Sequence, residues 1–221
     1  MLMSEEIKNA RSIVSVNVGR VRTVDHGGEH VTTGIFKEPV AGRVRLRGVN
    51  LDGDDQADRG VHGGRDRAAY AYASEDYDWW SAELGRAFPP GSFGENLTLR
   101  GLDVSGALIG ERWRVGSAVV QVTSPRVPCY KLAMKMDDPK FVRRFAAALR
   151  PGAYLSIVEE GDVAAGDGVE IVHRPAHALT LMEMARIYFF ERERIAELVD
   201  VEDLPAGWRD WAREHIGSQT P

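Results

Sequence analysis

The sequence predicts a mainly β fold with added helices, of the α+β class. Three observations carry this. Short β-branched segments recur between Gly, Pro and Asp clusters. Two amphipathic helical patterns are inserted among them. After His173-Arg174-Pro175 the character changes, and strand patterns give way to helical ones.

The elements follow in order. Residues 1–11 are polar and predict a flexible N-terminal arm. Ser12 to Val18 (SIVSVNV) is short and β-branched, a strand. Val44 to Val49 places Val44 and Leu46 between Arg43, Arg45 and Arg47, the alternation of a half-buried strand. Leu51 to Arg67 is rich in Gly and Asp and predicts a long loop; such loops inside compact domains tend to be functional. Ala68 to Ala73 predicts a strand. Ser74 is a candidate cap for a helix with Glu75 and Asp76 in its first turn, Tyr77, Trp80 and Leu84 on one face, and Gly85 to end it. Ala87 to Glu95 is a second Pro/Gly loop, and Asn96 to Leu99 resumes strand.

Arg112 to Val115 and Ala118 to Thr123 flank Gly116-Ser117, the pattern of a hairpin with a two-residue turn. Ser124 to Leu132 (SPRVPCYKL) is too proline-rich for regular structure. Asp138-Pro139 opens a helix with Phe141, Phe145 and Leu149 on its apolar face. Tyr154 to Val158 and Val169 to Val172 are strands. Many short strands with two inserted helices suggest a barrel or a sandwich. Beyond residue 173, Thr180 to Glu191, Glu193 to Val199 and Pro205 to Ile216 predict three short helices. The expected organisation is therefore an arm (1–11), a β domain (12–172) and a small three-helix domain (173–221).

The chain has 221 residues, about one and a half typical domains. Its net charge of −5 lacks the basic excess of a general nucleic-acid binder, so no nucleic-acid partner is expected. No apolar run approaches the roughly 18 residues of a membrane span, and no secretory leader is visible, so no membrane association is expected. The chain has one cysteine, Cys129, which excludes an intramolecular disulfide and a cysteine-built metal cage. A reducing cytoplasm is the expected location.

Three segments could carry chemistry. In the first, Cys129 follows Pro128 in a stiff loop, with Arg126 and Lys131 close in sequence. Nearby cations favour the thiolate, the form that attacks electrophiles or binds a soft metal. One thiolate cannot hold zinc or an iron–sulfur cluster alone. The histidines form no helical pair, because Pro175 interrupts His173 and His177. Either a metal arrives with its own ligands as part of a cofactor, or Cys129 is a nucleophile. The second segment is Gly53 to Arg67. Its Gly63-Gly64 pair can aim backbone N–H groups at an anion, Arg59, Arg65 and Arg67 add charge, and Asp55, Gln56, Asp58 and His62 offer polar contacts. It is neither a P-loop nor a dinucleotide fingerprint. The third is Gly91-Ser92-Phe93-Gly94-Glu95-Asn96-Leu97, where a buried Asn or Glu could read the edge of a heterocycle.

GDDQADRGVHGG at 53–64, FGENL at 93–97 and PRVPCYKL at 125–132, in that order and followed by a helical tail, resemble the MOSC domain family in its YiiM-like branch. The resemblance covers roughly residues 12 to 216. It implies a MOSC-type β-barrel followed by a small C-terminal three-helix domain. It implies a molybdenum cofactor (molybdopterin) whose metal is bound by the family cysteine, here Cys129, the catalytic and metal residue. Arg126, Lys131, His62, Gly63, Gly64 and Asn96, with Gln56 and Asp58, become the expected cofactor-binding residues. The implied activity is reduction of N-hydroxylated compounds, such as hydroxylamino-purines and amidoximes, to amines and amidines. No flavin, haem or iron–sulfur motif is visible, so electrons would come from an external donor such as a flavoprotein reductase or a ferredoxin-type protein. Two alternatives stand beside this: a sulfur carrier using a persulfide on Cys129, and a cofactor-binding module without turnover. A monomer and a homodimer are both compatible with the sequence.

Overall fold

The computed structural model describes residues 11–57 and 63–217. Its largest element is an eight-stranded sheet in the order β13-β9-β10-β11-β7-β8-β1-β4. The strands are β1 (Ser12–Val18), β4 (Glu38–Pro39), β7 (Ala69–Ala73), β8 (Leu97–Arg100), β9 (Arg112–Val115), β10 (Ala118–Pro125), β11 (Ala153–Glu159) and β13 (Val169–His173). All neighbours are antiparallel except β7 and β8. A three-stranded sheet joins β5 (Val44–Arg47), β6 (Asn50–Leu51) and β12 (Gly161–Val163), and a hairpin joins β2 (Arg22–His26) to β3 (Glu29–Thr33). Five α-helices complete the described residues: α1 (Ser74–Leu84), α2 (Tyr130–Met136), α3 (Phe141–Ala148), α4 (Leu181–Phe189) and α5 (Ala206–His215), with 3-10 turns at Arg65–Arg67 and Arg192–Leu198.

The fold is thus mixed α+β, but no closed barrel is found among the described residues. One edge of β1 pairs with β8. The other is divided between two short partners. At one end lies β4, two residues that include Pro39, which has no N–H to donate. At the other, Val169 N donates to Arg11 O (2.9 Å) and Ile13 N to Asp167 O (2.9 Å), with a single bridge at Ser12 and Gly168. The sheet curls until these segments touch, and the ladder goes no further.

Strand β7 organises the core. Its sequence AYAYA alternates, as a strand's side chains must. Ala69, Ala71 and Ala73 face one apolar cluster with Ile13, Leu97, Leu99, Trp113 and Leu155. Tyr70 and Tyr72 face a second, aromatic cluster with Tyr77, Trp80, Phe93, Phe141 and Phe145. The first cluster also takes in Leu181, Met184, Ile187, Ile195, Leu198, Leu204 and Ala212, so the C-terminal helices share it with the sheet. The second clamps α1, α2 and α3 to the opposite face. Phe93 stacks on Tyr72 at 4.6 Å and meets Tyr77 edge-on at 4.9 Å.

Several local expectations need correction. The 124–132 segment is not irregular throughout: Cys129 is the N-terminal cap residue of α2, which begins at Tyr130. Pro125 and Pro128 precede that helix, and proline is disfavoured only inside one. Ser74 does not cap α1. Ala73 holds that position, and the Ser74 hydroxyl bonds Glu75 instead. The β2–β3 hairpin has no apolar alternation, because only Val31 and Thr33 of it are buried. Gly85 does end α1 in the left-handed conformation, at φ 64°.

Candidate functional site

Three chain segments converge on one cavity of about 620 Å³, its open mouth included. The end of β3 and the β3–β4 connection contribute Thr33, Gly34, Ile35 and Lys37. The 52–67 segment contributes Asp55, Gln56, Ala57 and Arg67. The loop and first turn around α2 contribute Arg126, Cys129 and Lys131. Ala69, Tyr70, Tyr154, Gly94 and Asn96 complete the lining.

Arg126 is the buried centre of this arrangement, 6% exposed. Its Nη1 donates to the Phe93 carbonyl oxygen, and its guanidinium lies 5.0 Å from the Tyr70 ring centroid. Burial alone would favour loss of its proton. Tyr154, Tyr70 and the Cys129 sulfur outweigh that and hold the cation above its ordinary range. The Cys129 thiol and the Arg126 guanidinium are thus electrostatically coupled. Cys129 is half-buried and is not in a disulfide.

Lys37 forms a buried pair with Asp54, at 2.5 Å to Oδ1 and 2.6 Å to Oδ2. Burial lowers the Lys37 ammonium against the opposing pull of Asp54. Lys135, on α2, donates from Nζ to the carbonyls of Ile35 (2.8 Å) and Gly91 (2.5 Å). Burial pushes it down to about 7; Glu95 opposes this, and Arg126, Lys37 and Arg22 add to it.

The residues expected from the sequence separate into groups. Cys129, Arg126, Lys131, Gln56 and Asn96 do line the one cavity. Lys131 is tethered at the rim, donating to Thr32 O at 3.1 Å, and Gln56 Nε2 donates to Arg67 O at 3.2 Å. Asn96 lines the wall, but its amide is engaged within the fold. Its Oδ1 accepts from Tyr70 N (3.1 Å), and its Nδ2 donates to Asn17 O (3.2 Å) and Asp54 Oδ2 (3.0 Å). Glu95 also turns inward: Oε1 accepts from Tyr77 Oη, Gly91 N and Thr98 Oγ1, and Oε2 is buried without a partner among the described residues. Gly63 and Gly64 line a neighbouring cleft and not this cavity. Asp58 and His62 lie outside the described residues.

Lys37, Tyr70 and Tyr154 were not expected from the sequence. One signal pointed toward them. Gly34 interrupts a β-branched run, and a Cβ there would sit 2.3 Å from Asp55 O, so the glycine marks a close approach of two backbones beside the cavity.

The MOSC domain model matches residues 58–170. Uncharacterized protein YflK of Bacillus subtilis is 35% identical over 201 residues, covering 90% of this chain and 91% of that protein. The chain belongs to the MOSC domain family. Among solved structures, YiiM from Geobacillus stearothermophilus superposes on this MOSC protein with a TM-score of 0.77 at 33% identity, covering 93% of this chain and 99% of that one. A protein of Gibberella moniliformis named Reductase is 28% identical over 216 residues; the match covers 93% of this chain but 37% of that protein. MOSC domains are associated in general with molybdenum-cofactor binding.

The lining suits such a cofactor. Among the described residues no group of three His, Cys, Asp or Glu could hold a metal ion, and Cys129 is the soft donor on the cavity wall. With Lys37 neutralised by Asp54, Arg67, Arg126 and Lys131 still outnumber Asp55 on the same wall, which favours an anionic group such as a phosphate.

Proposed function

We propose that this chain is a molybdenum-cofactor-dependent oxidoreductase that reduces N-hydroxylated compounds, hydroxylamino-purines and amidoximes among them. The observation that carries the reading is the placement of the chain's one cysteine, Cys129, in the same cavity as Arg126, Arg67 and Lys131. Cys129 is the residue that would hold the metal. Arg126 fixes the segment bearing it and supplies charge beside the sulfur. Lys131, Arg67 and Gln56 would hold the anionic and polar edges of the pterin. Tyr70 and Tyr154 form an apolar wall that limits water at the sulfur.

When bound, the cofactor supplies two-electron chemistry that converts an N–OH group to N–H with release of water, consuming two protons and two electrons. The electrons come from an external donor, a flavoprotein reductase or a ferredoxin-type protein. Among the described residues no helix is long and apolar enough to cross a membrane.

The test is reduction of a hydroxylamino-purine by the cofactor-loaded protein with a chemical reductant, comparing wild type with Cys129→Ser. Turnover lost in the variant supports the reading. A persulfide mass shift on Cys129 without turnover points to the sulfur carrier, and cofactor binding without turnover points to the binding module.

A further inference from the structure

Beside the Cys129 cavity lies an open cleft of about 1040 Å³. One wall is the turn Gly63-Gly64-Arg65-Asp66-Arg67. The other is aromatic: Tyr188 of α4 with Trp208 and Trp211 of α5. Arg67 lines both hollows, so the two are neighbours. We propose that this cleft is a second binding site, for a planar heteroaromatic ring.

Four features give the ligand its chemistry. The three aromatic side chains form one cluster, with centroids 5.4 Å (Tyr188–Trp208), 5.1 Å (Tyr188–Trp211) and 5.7 Å (Trp208–Trp211) apart, and all three are only half-buried. Such a surface binds flat rings, because every base or fused ring offers a π face. The facing wall starts with two glycines, so backbone rather than side chains borders the gap. Gly64 sits at φ 90°, a conformation other residues rarely adopt. Arg65 and Arg67 exceed Asp66 by one positive charge on this wall, which favours a neutral or anionic ring over a cationic one. Arg192, over the Tyr188 ring at 6.0 Å, adds a cation to the aromatic wall. The glycine pair thereby gains a role outside the Cys129 cavity.

Two sources share this chemistry: a nucleobase, as in a substrate ring, and an isoalloxazine, as in an electron carrier. The experiment is isothermal titration calorimetry of the full chain with adenosine, AMP, riboflavin and FMN. Binding of adenosine or AMP alone assigns the cleft to a nucleobase. Binding of riboflavin or FMN alone assigns it to a flavin. Binding of none of the four overturns the proposal.

Position 207 supplies the blocking variant. A Cβ on Gly207 meets nothing within 4 Å, and the residue lies in α5 on the cleft wall. Gly207→Leu should therefore fold, melt no lower than wild type, and weaken the bound probe about tenfold or more. Trp208→Ala should weaken it similarly. Unchanged binding in folded Gly207→Leu overturns the proposal. The probe should still bind Cys129→Ser, so the cleft and the metal reading stand or fall separately.

Discussion

The Arg126 guanidinium donates to the backbone carbonyl of Phe93, 33 residues away in sequence. This one contact ties the segment that carries Cys129 to the F-G-E-N turn. Phe93 is anchored in turn by stacking on Tyr72, so the thiol is referenced to the aromatic core rather than to a loose loop. Arg126→Ala removes the tie and leaves a buried carbonyl unpaired, which costs about 1–3 kcal/mol. For a chain of this length that lowers the melting temperature by roughly 2–4 °C per kcal/mol. Cofactor retention falls as well. Calorimetric melting and metal content of the purified variant check both.

Asp54 and Lys37 form a buried pair whose loss is asymmetric. Asp54→Ala strands the Lys37 ammonium and deprives Gly19 N and Asn96 Nδ2 of their acceptor. Removing one partner of such a pair costs about 3–5 kcal/mol. Replacing both, as in Lys37→Met with Asp54→Leu, should recover part of that. Urea unfolding of the two variants decides it.

Lys135 predicts a pH dependence. Its ordinary value near 10.5 falls to about 7 in the folded chain. Between those limits the unfolded chain holds a proton that the folded chain has shed. Stability contributed by this group therefore rises as pH goes from 7 to 10.5, with a slope approaching about 1.4 kcal/mol per pH unit. Below pH 7 both states are protonated and the contribution is flat. Subtracting the unfolding curve of Lys135→Met from that of wild type isolates the slope. A difference that falls with rising pH would contradict the assignment.

Gly34→Ala tests the wall of the cavity. The added methyl would meet Asp55 O at 2.3 Å, so the Asp55–Gln56 segment must move. Such overpacking typically costs about 1–3 kcal/mol. Retention of the cofactor should fall together with the melting temperature.

Much of the fold was legible because local rules governed it. The hairpin around Gly116-Ser117, the AYAYA strand and the Gly85 stop each follow from a turn residue or from period two. The site was legible where one segment held it, as with Arg126, Cys129 and Lys131. It was not legible where partners come from afar. Lys37 meets Asp54 through a contact between two loops, and Tyr154 comes beside Arg126 through the pairing of β11 with β10. The amide of Asn96 was expected to face a ligand, but it is engaged by the backbone of Asn17 and Tyr70 and by the Asp54 carboxylate, contacts that no sequence spacing announces. Gly64 takes a positive φ of 90° that glycine allows, yet Gly63-Gly64 borders the aromatic cleft, because α4 and α5 fold back beside it.

The central claim is that Cys129 is the protein's ligand to a molybdenum cofactor. Metal and pterin content of protein purified from a molybdenum-replete host tests it most directly. The account predicts molybdenum and pterin stoichiometric with the wild-type chain and absent from folded Cys129→Ser. A wild-type chain that stays free of molybdenum after reconstitution, or a Cys129→Ser chain that retains it in full, would contradict the account.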